Sequence, residues 1–140
     1  MRDHTRLRAF ELADSLALAV YRHTRSFPRD EQFGLTAQLR RGAVSVPSNI
    51  VEGCARSTHG DYLRFLDVAF ASAREVEYQL SLAARLGYLD PIAHAALAAH
   101  AAETGRVLAG LIRALRARHA TSVAAMPCPA TAASPQKHQA

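Results

Sequence analysis

Apolar residues recur every three or four positions through four long stretches of this chain, and only short breaks separate them. That period belongs to helices with one buried face, and it leaves little room for a sheet. The first stretch predicts a helix from about Leu7 to Arg25, with Phe10, Ala13, Leu16, Ala17, Val20 and Thr24 on its inner side. Phe27-Pro28 ends it, because a proline drives its predecessor out of helical geometry. The second stretch predicts a helix from about Glu31 to Arg56, buried through Leu35, Leu39, Ala43, Val46 and Ile50. The third is expected from Asp61 to the Leu86-Gly87 step, with Gly87 as a left-handed cap. Asp90-Pro91 marks the start of the fourth, which should run to about Arg118 along Leu97, Ala101, Thr104, Leu108, Leu111 and Leu115.

Composition agrees with helix. Alanine supplies 29 of the 140 residues, and valine with isoleucine only 11. Alanine loses no side-chain entropy in a helix, whereas β-branched residues fill strands. Short loops make successive helices antiparallel, so the expected fold is all-α, an up-down-up-down four-helix bundle over residues 1–118. After His119 the chain turns to Ala, Pro, Ser and Thr with Lys137 as its one formal charge. Residues 119–140 therefore read as a disordered tail.

Pro47 falls in the middle of the second stretch. A proline inside a helix costs about 3 kcal/mol. It predicts a kink, with Ser45, Ser48 or Asn49 assisting the freed carbonyls, or else two shorter helices. A polar row runs beside the apolar one: Gln38, Arg41, Ser45, Ser48, Glu52 and Arg56, with Asn49 next to it. It reads as a hydrogen-bonded network between helices or subunits, as a solvated face with a Glu52–Arg56 pair, or as a ligand site. Ser72 and Glu75 of the third helix join the network reading, with Glu75 expected to pair with an arginine or serine of a neighbouring helix.

Catalytic and metal chemistry find little support. There is no Glu-x-x-His or HExxH for a metal, no glycine-rich phosphate loop, and no base near Cys54 or Ser72. No enzyme, cofactor, metal or small-molecule substrate is expected. The two cysteines, Cys54 and Cys128, read as reduced thiols of a cytoplasmic protein. No uncharged run reaches the length a membrane span needs.

Charge points elsewhere. Seventeen basic residues, 16 of them arginine, stand against 12 acidic ones, a net charge of +5. Arginine's planar fork suits phosphate. In the expected topology one end of the bundle gathers Arg2, Arg6, Arg8, Arg56, Arg64, Arg113, Arg116 and Arg118, with Asp3, Glu11, Glu52, Asp61 and Asp67 nearby. Arg113, Arg116 and Arg118 are the first candidates for RNA or DNA, and Arg40 and Arg41 the second. No aromatic interleaving argues for base stacking. The rival reading is a protein–protein interaction module whose charge is incidental.

Several motifs carry a family resemblance. Val20-Tyr21, the run from Phe27 to Leu35, Gln38-Leu39-Arg40-Arg41, Ser45-Val46-Pro47-Ser48-Asn49-Ile50-Val51-Glu52-Gly53 and Arg56 are followed by Tyr62-Leu63-Arg64-Phe65-Leu66, Ala69, Ser72 and Glu75. Together they resemble the bacterial four-helix-bundle family named after proteins encoded in 23S rRNA intervening sequences. Phe10 stands where that family usually has tryptophan, and Ala71 where it has glycine. The resemblance implies a left-handed bundle that assembles as a homo-oligomeric ring, commonly a pentamer. One branch looks like the accessory variability determinant of diversity-generating retroelements, which binds nucleic acid and a reverse transcriptase, and so implies an accessory role in a ribonucleoprotein or retroelement assembly.

Overall fold

The computed structural model describes residues 2–127 and 129, and all its regular structure is helical. The elements are α1 (Arg8–Thr24), α2 (Leu35–Ala55), α3 (His59–Arg85) and α4 (Pro91–Ala124), with short 3-10 turns at His4–Arg6 and Arg29–Glu31. Each helix packs against its neighbours in the chain, α1 meets α4, and the diagonal pairs do not meet among the described residues. That is a four-helix bundle. No helix among the described residues is long and apolar enough to cross a membrane.

Two helix ends obey the local rules of the sequence. The Asp90 carboxylate accepts from the Ala93 N–H at 2.8 Å with Pro91 at the first helical position. Gly87 closes α3 at φ +81°, where any other residue would be strained. Two ends differ from expectation. α2 begins at Leu35 rather than Glu31, because Gly34 (φ −104°, ψ −118°) interrupts the helical path. Glu31 acts from outside the helix: its Oε2 accepts the Leu35 N–H at 2.7 Å. α4 passes the expected end at Arg118 and continues to Ala124. Alanine-rich composition sustains helix where nothing breaks it, and the first breaker is Pro127. Residues 119–124 are thus helical and exposed, while the disorder expected for residue 128 and residues 130–140 lies outside the described residues.

The α2 helix is continuous through the buried Pro47. Its predicted inner row of Leu39, Ala43, Val46 and Ile50 is fully buried, and Leu35 nearly so. The core divides into two clusters along the bundle axis. One joins Leu16, Val20, Phe27, Leu35, Leu39, Leu80, Leu89 and Leu97 among others. The second joins Ala13, Val46, Ile50, Cys54, Tyr62, Leu66, Leu108 and Ile112. At roughly 25 cal/mol per Å² of apolar area removed from water, these side chains supply most of the driving force for folding. On α4 Ile112 is buried, and the expected Leu111 and Leu115 pack partly buried against the second cluster.

Candidate nucleic-acid interface

The end of the bundle expected to hold the arginines does gather them. Arg2 N–H bonds the Cys54 carbonyl at 3.4 Å, and the His59 ring lies 3.0 Å from the Leu115 carbonyl and stacks on His119. Those contacts bring the N-terminus, the α2–α3 turn and late α4 together. Most of the cations there are already answered. Arg6 pairs with Asp3, Arg8 with Glu103, Arg56 with Glu52, Arg64 with Asp61 and Arg116 with Asp67. Arg2 lies over the Tyr62 ring at 4.2 Å. Arg113 and Arg118 are exposed and form no ion pair among the described residues. Of the three first candidates, then, Arg116 is tied to a carboxylate and two remain.

The polar row of α2 separates into pieces. Ser45 Oγ lies 2.9 Å from Ser72 Oγ, a hydrogen bond from α2 to α3. Asn49 Nδ2 donates to the Ser45 carbonyl at 2.7 Å and to Ser45 Oγ at 2.9 Å. The carbonyl that Pro47 deprives of a helical donor is that of Ala43, so Asn49 serves a different carbonyl from the one expected. Glu52 and Arg56 form an exposed pair within α2 at 2.7 Å, apart from the Ser45–Ser72 link. Gln38 is exposed. Among the described residues Glu75 bonds neither arginine nor serine of a neighbouring helix: Gln79, on its own helix, donates to it at 3.1 Å. Gln79 itself is buried, and its Oε1 has no partner among the described residues.

A different surface combines free cations with aromatic rings. Between the end of α1 and the outer side of α2 lies an open groove of about 560 Å³, walled by Tyr21, Phe33, Arg40, Arg41 and Val44. A second depression of about 320 Å³ continues from it past Arg25 and Arg29. The two share Gln32, Thr36 and Arg40, and among the described residues no carboxylate lines either. None of Arg25, Arg29, Arg40 and Arg41 makes an ion pair among the described residues.

Local structure sets these side chains. Pro28 turns the chain out of α1 and the 3-10 turn at Arg29–Glu31 places Arg29 beside Arg25 on the rim of the second depression. Phe33, just before α2, misses the buried stripe and stands 89% exposed. Arg40 Nε donates to Thr24 Oγ1 at 2.9 Å, and its guanidinium lies 4.7 Å above the Tyr21 ring. The Thr36 hydroxyl, on the wall common to both depressions, is buried and has no hydrogen-bond partner among the described residues.

The sequence reading had Arg40 and Arg41 but missed Arg25, Arg29, Tyr21 and Phe33 as parts of one site. The available signal was Phe33, a large apolar residue outside every helical stripe. The aromatic residues do not alternate with the arginines along the chain, but the fold brings Tyr21 and Phe33 beside Arg40 and Arg41. Among the described residues no cluster of three or more His, Cys, Asp or Glu is placed to hold a metal.

Known proteins give the arrangement its context. A solved structure from Bacteroides thetaiotaomicron VPI-5482, described as a protein of unknown function from the S23 ribosomal protein family, has the same fold. It superposes with a TM-score of 0.69 at 21% sequence identity, over 75% of this chain and 95% of that one. No match was found among curated proteins. The family model described as 23S rRNA-intervening sequence protein matches residues 5–110, most of the bundle. With three quarters of its length under that model, the chain belongs to the family of 23S rRNA-intervening sequence proteins.

Proposed function

We propose that the protein is a non-enzymatic nucleic-acid-binding bundle, and that the α1–α2 groove is where phosphate chains lie. The observation that carries this reading is the row of four arginines, Arg25, Arg29, Arg40 and Arg41, along two connected depressions that no carboxylate lines. Arginines already paired with carboxylates offer little net field, and exposed ion pairs leave little charge to release counterions. Arg113 and Arg118 supply a second, smaller set of free cations at the opposite end of the bundle. Assembly into a ring, which the family resemblance supports, repeats each set around an axis and strengthens the field. Such binding is sequence-tolerant, because phosphate contacts position the ligand without reading bases.

The test is fluorescence anisotropy with labelled RNA across a salt series. Engagement of four phosphates gives a slope of log K against log salt of about −3 per subunit for a single strand. Replacing Arg25, Arg29, Arg40 and Arg41 by glutamine flattens that slope and removes most of the affinity. An unaltered slope in the quadruple variant refutes the groove, and absence of wild-type binding at low salt refutes the function. Mass photometry of the wild-type chain tests the ring.

A further inference from the structure

We infer that the groove takes single-stranded rather than duplex nucleic acid, with one base stacked on the Phe33 ring. This rests on the reading of the groove as a nucleic-acid site and adds the form of the ligand. Phe33 is 89% exposed at the lip of a groove that also holds Arg40 and Arg41. Leaving that ring in water is unfavourable, and neither the core nor a neighbouring side chain covers it. Tyr21, 43% exposed, already carries the Arg40 guanidinium on one face at 4.7 Å. The wall therefore presents a free aromatic ring and a cation–aromatic stack beside unpaired arginines. Stacking platforms next to a cationic track are how proteins hold unpaired strands, since every base has a π-face.

Chain geometry selects between the forms. In a duplex the bases are paired inside the stack, and only phosphate and groove edges reach a protein surface. A ring standing out like Phe33 has nothing to stack on there. In a single strand the phosphates can follow Arg41 and Arg40 towards Arg29 and Arg25 while a base turns onto Phe33. Thr36 Oγ1, buried between the two depressions without a partner, leaves a hydrogen-bonding atom on the wall both share. Among the described residues Gln32 is the one amide side chain on the walls of either depression, so base selectivity is weak. An acidic peptide would meet the same arginines but would gain less from an exposed aromatic ring.

The experiment uses the full chain, labelled oligouridine and a duplex of equal length. The sequence has no tryptophan, so Phe33→Trp introduces a single reporter at the lip. The single strand is expected to bind more tightly than the duplex, and oligouridine to quench the Phe33→Trp emission. Phe33→Ala should weaken single-strand binding by roughly 5- to 150-fold, the range for loss of one stacked base, with duplex binding unchanged. Equal binding of both forms, or an unquenched tryptophan at saturation, overturns the inference. If the arginine-to-glutamine variants still lose affinity in that case, phosphate binding in the groove survives and stacking alone is rejected. Displacement of oligouridine by polyglutamate at equal concentration also overturns it, and assigns the groove to acidic protein.

Discussion

One terminal nitrogen of Arg116 reaches both carboxylate oxygens of Asp67, at 3.0 and 2.8 Å, and so ties α4 to α3 across the bundle surface. The pair is half exposed, which limits its contribution to stability to about 0.2–1 kcal/mol. Its larger effect is on charge, because Asp67 cancels the field Arg116 would otherwise project. The Arg116→Gln, Asp67→Asn double variant removes both charges together and is therefore expected to leave RNA affinity close to that of the wild type, whereas Arg40→Gln with Arg41→Gln lowers it several-fold at low salt. Anisotropy titrations of the two variants side by side check this. Equal losses in both would return the binding surface to the α4 end.

Asn49 and Glu52 lie three residues apart on α2 and differ in what they hold. Asn49 braces Ser45, which in turn bonds Ser72 on α3. Asn49→Ala removes both bonds at a half-buried site and is expected to cost about 1 kcal/mol, near 4 °C in melting temperature. Glu52→Ala removes an exposed i,i+4 pair and costs no more than about 0.5 kcal/mol. Thermal melts of the two variants would show the contrast, and equal shifts would contradict it.

Gly53 marks a close crossing of α2 and α3. A Cβ there would come within 3.0 Å of Phe65 Cβ and 3.3 Å of the Tyr62 carbonyl oxygen. Gly53→Ala gains about 1 kcal/mol of helix propensity but forces the helices apart at a cost of about 1–3 kcal/mol, so net destabilisation is expected. Gly60→Ala is the control, since nothing lies within 4 Å of its Cβ and α3 is already formed there. It should stabilise by up to about 1 kcal/mol. Chemical denaturation of both variants measures the difference.

Burial pushes the Tyr62 phenol up to about 12 from its ordinary value of 10, helped by the nearby Cys54 thiol. A raised value means the folded state holds its proton more tightly than the unfolded state does. The stability this provides is complete below pH 10 and is lost as pH rises towards 12. Tyr62→Phe should flatten the alkaline limb of the stability curve while lowering neutral stability by about 0.5–1.5 kcal/mol. Urea midpoints measured from neutral to alkaline pH decide it.

The fold was legible in the sequence because its information is local. The Asp90-Pro91 start, the Gly87 cap and the buried row from Leu35 to Ile50 each follow from spacing or backbone preference within a few residues. Helix ends were less legible. Glu31 was the expected start of the second helix but caps Leu35 from outside, and the change of composition after His119 hid a helix that alanine carries to Ala124. The candidate site was legible only in part. Arg40 and Arg41 announced themselves as a basic pair, but their freedom from carboxylates is a property of tertiary neighbours. Tyr21 reaches the groove from α1, Arg25 from just past its end and Phe33 from the connection before α2, and no sequence spacing encodes that meeting. Arg116 illustrates the converse: its neutralising partner lies 49 residues away.

The two apolar clusters have no side chain in common, although the same helices run through both. Phe27, which lines the second depression, belongs to one with Leu35 and Leu39; Cys54 and Tyr62 belong to the other. Stability losses at Tyr62 and at Phe27, which belong to different clusters, are expected to add. Sequence drift around Tyr62 therefore lowers the stability of the whole bundle without altering any side chain that walls the cleft beside Phe33.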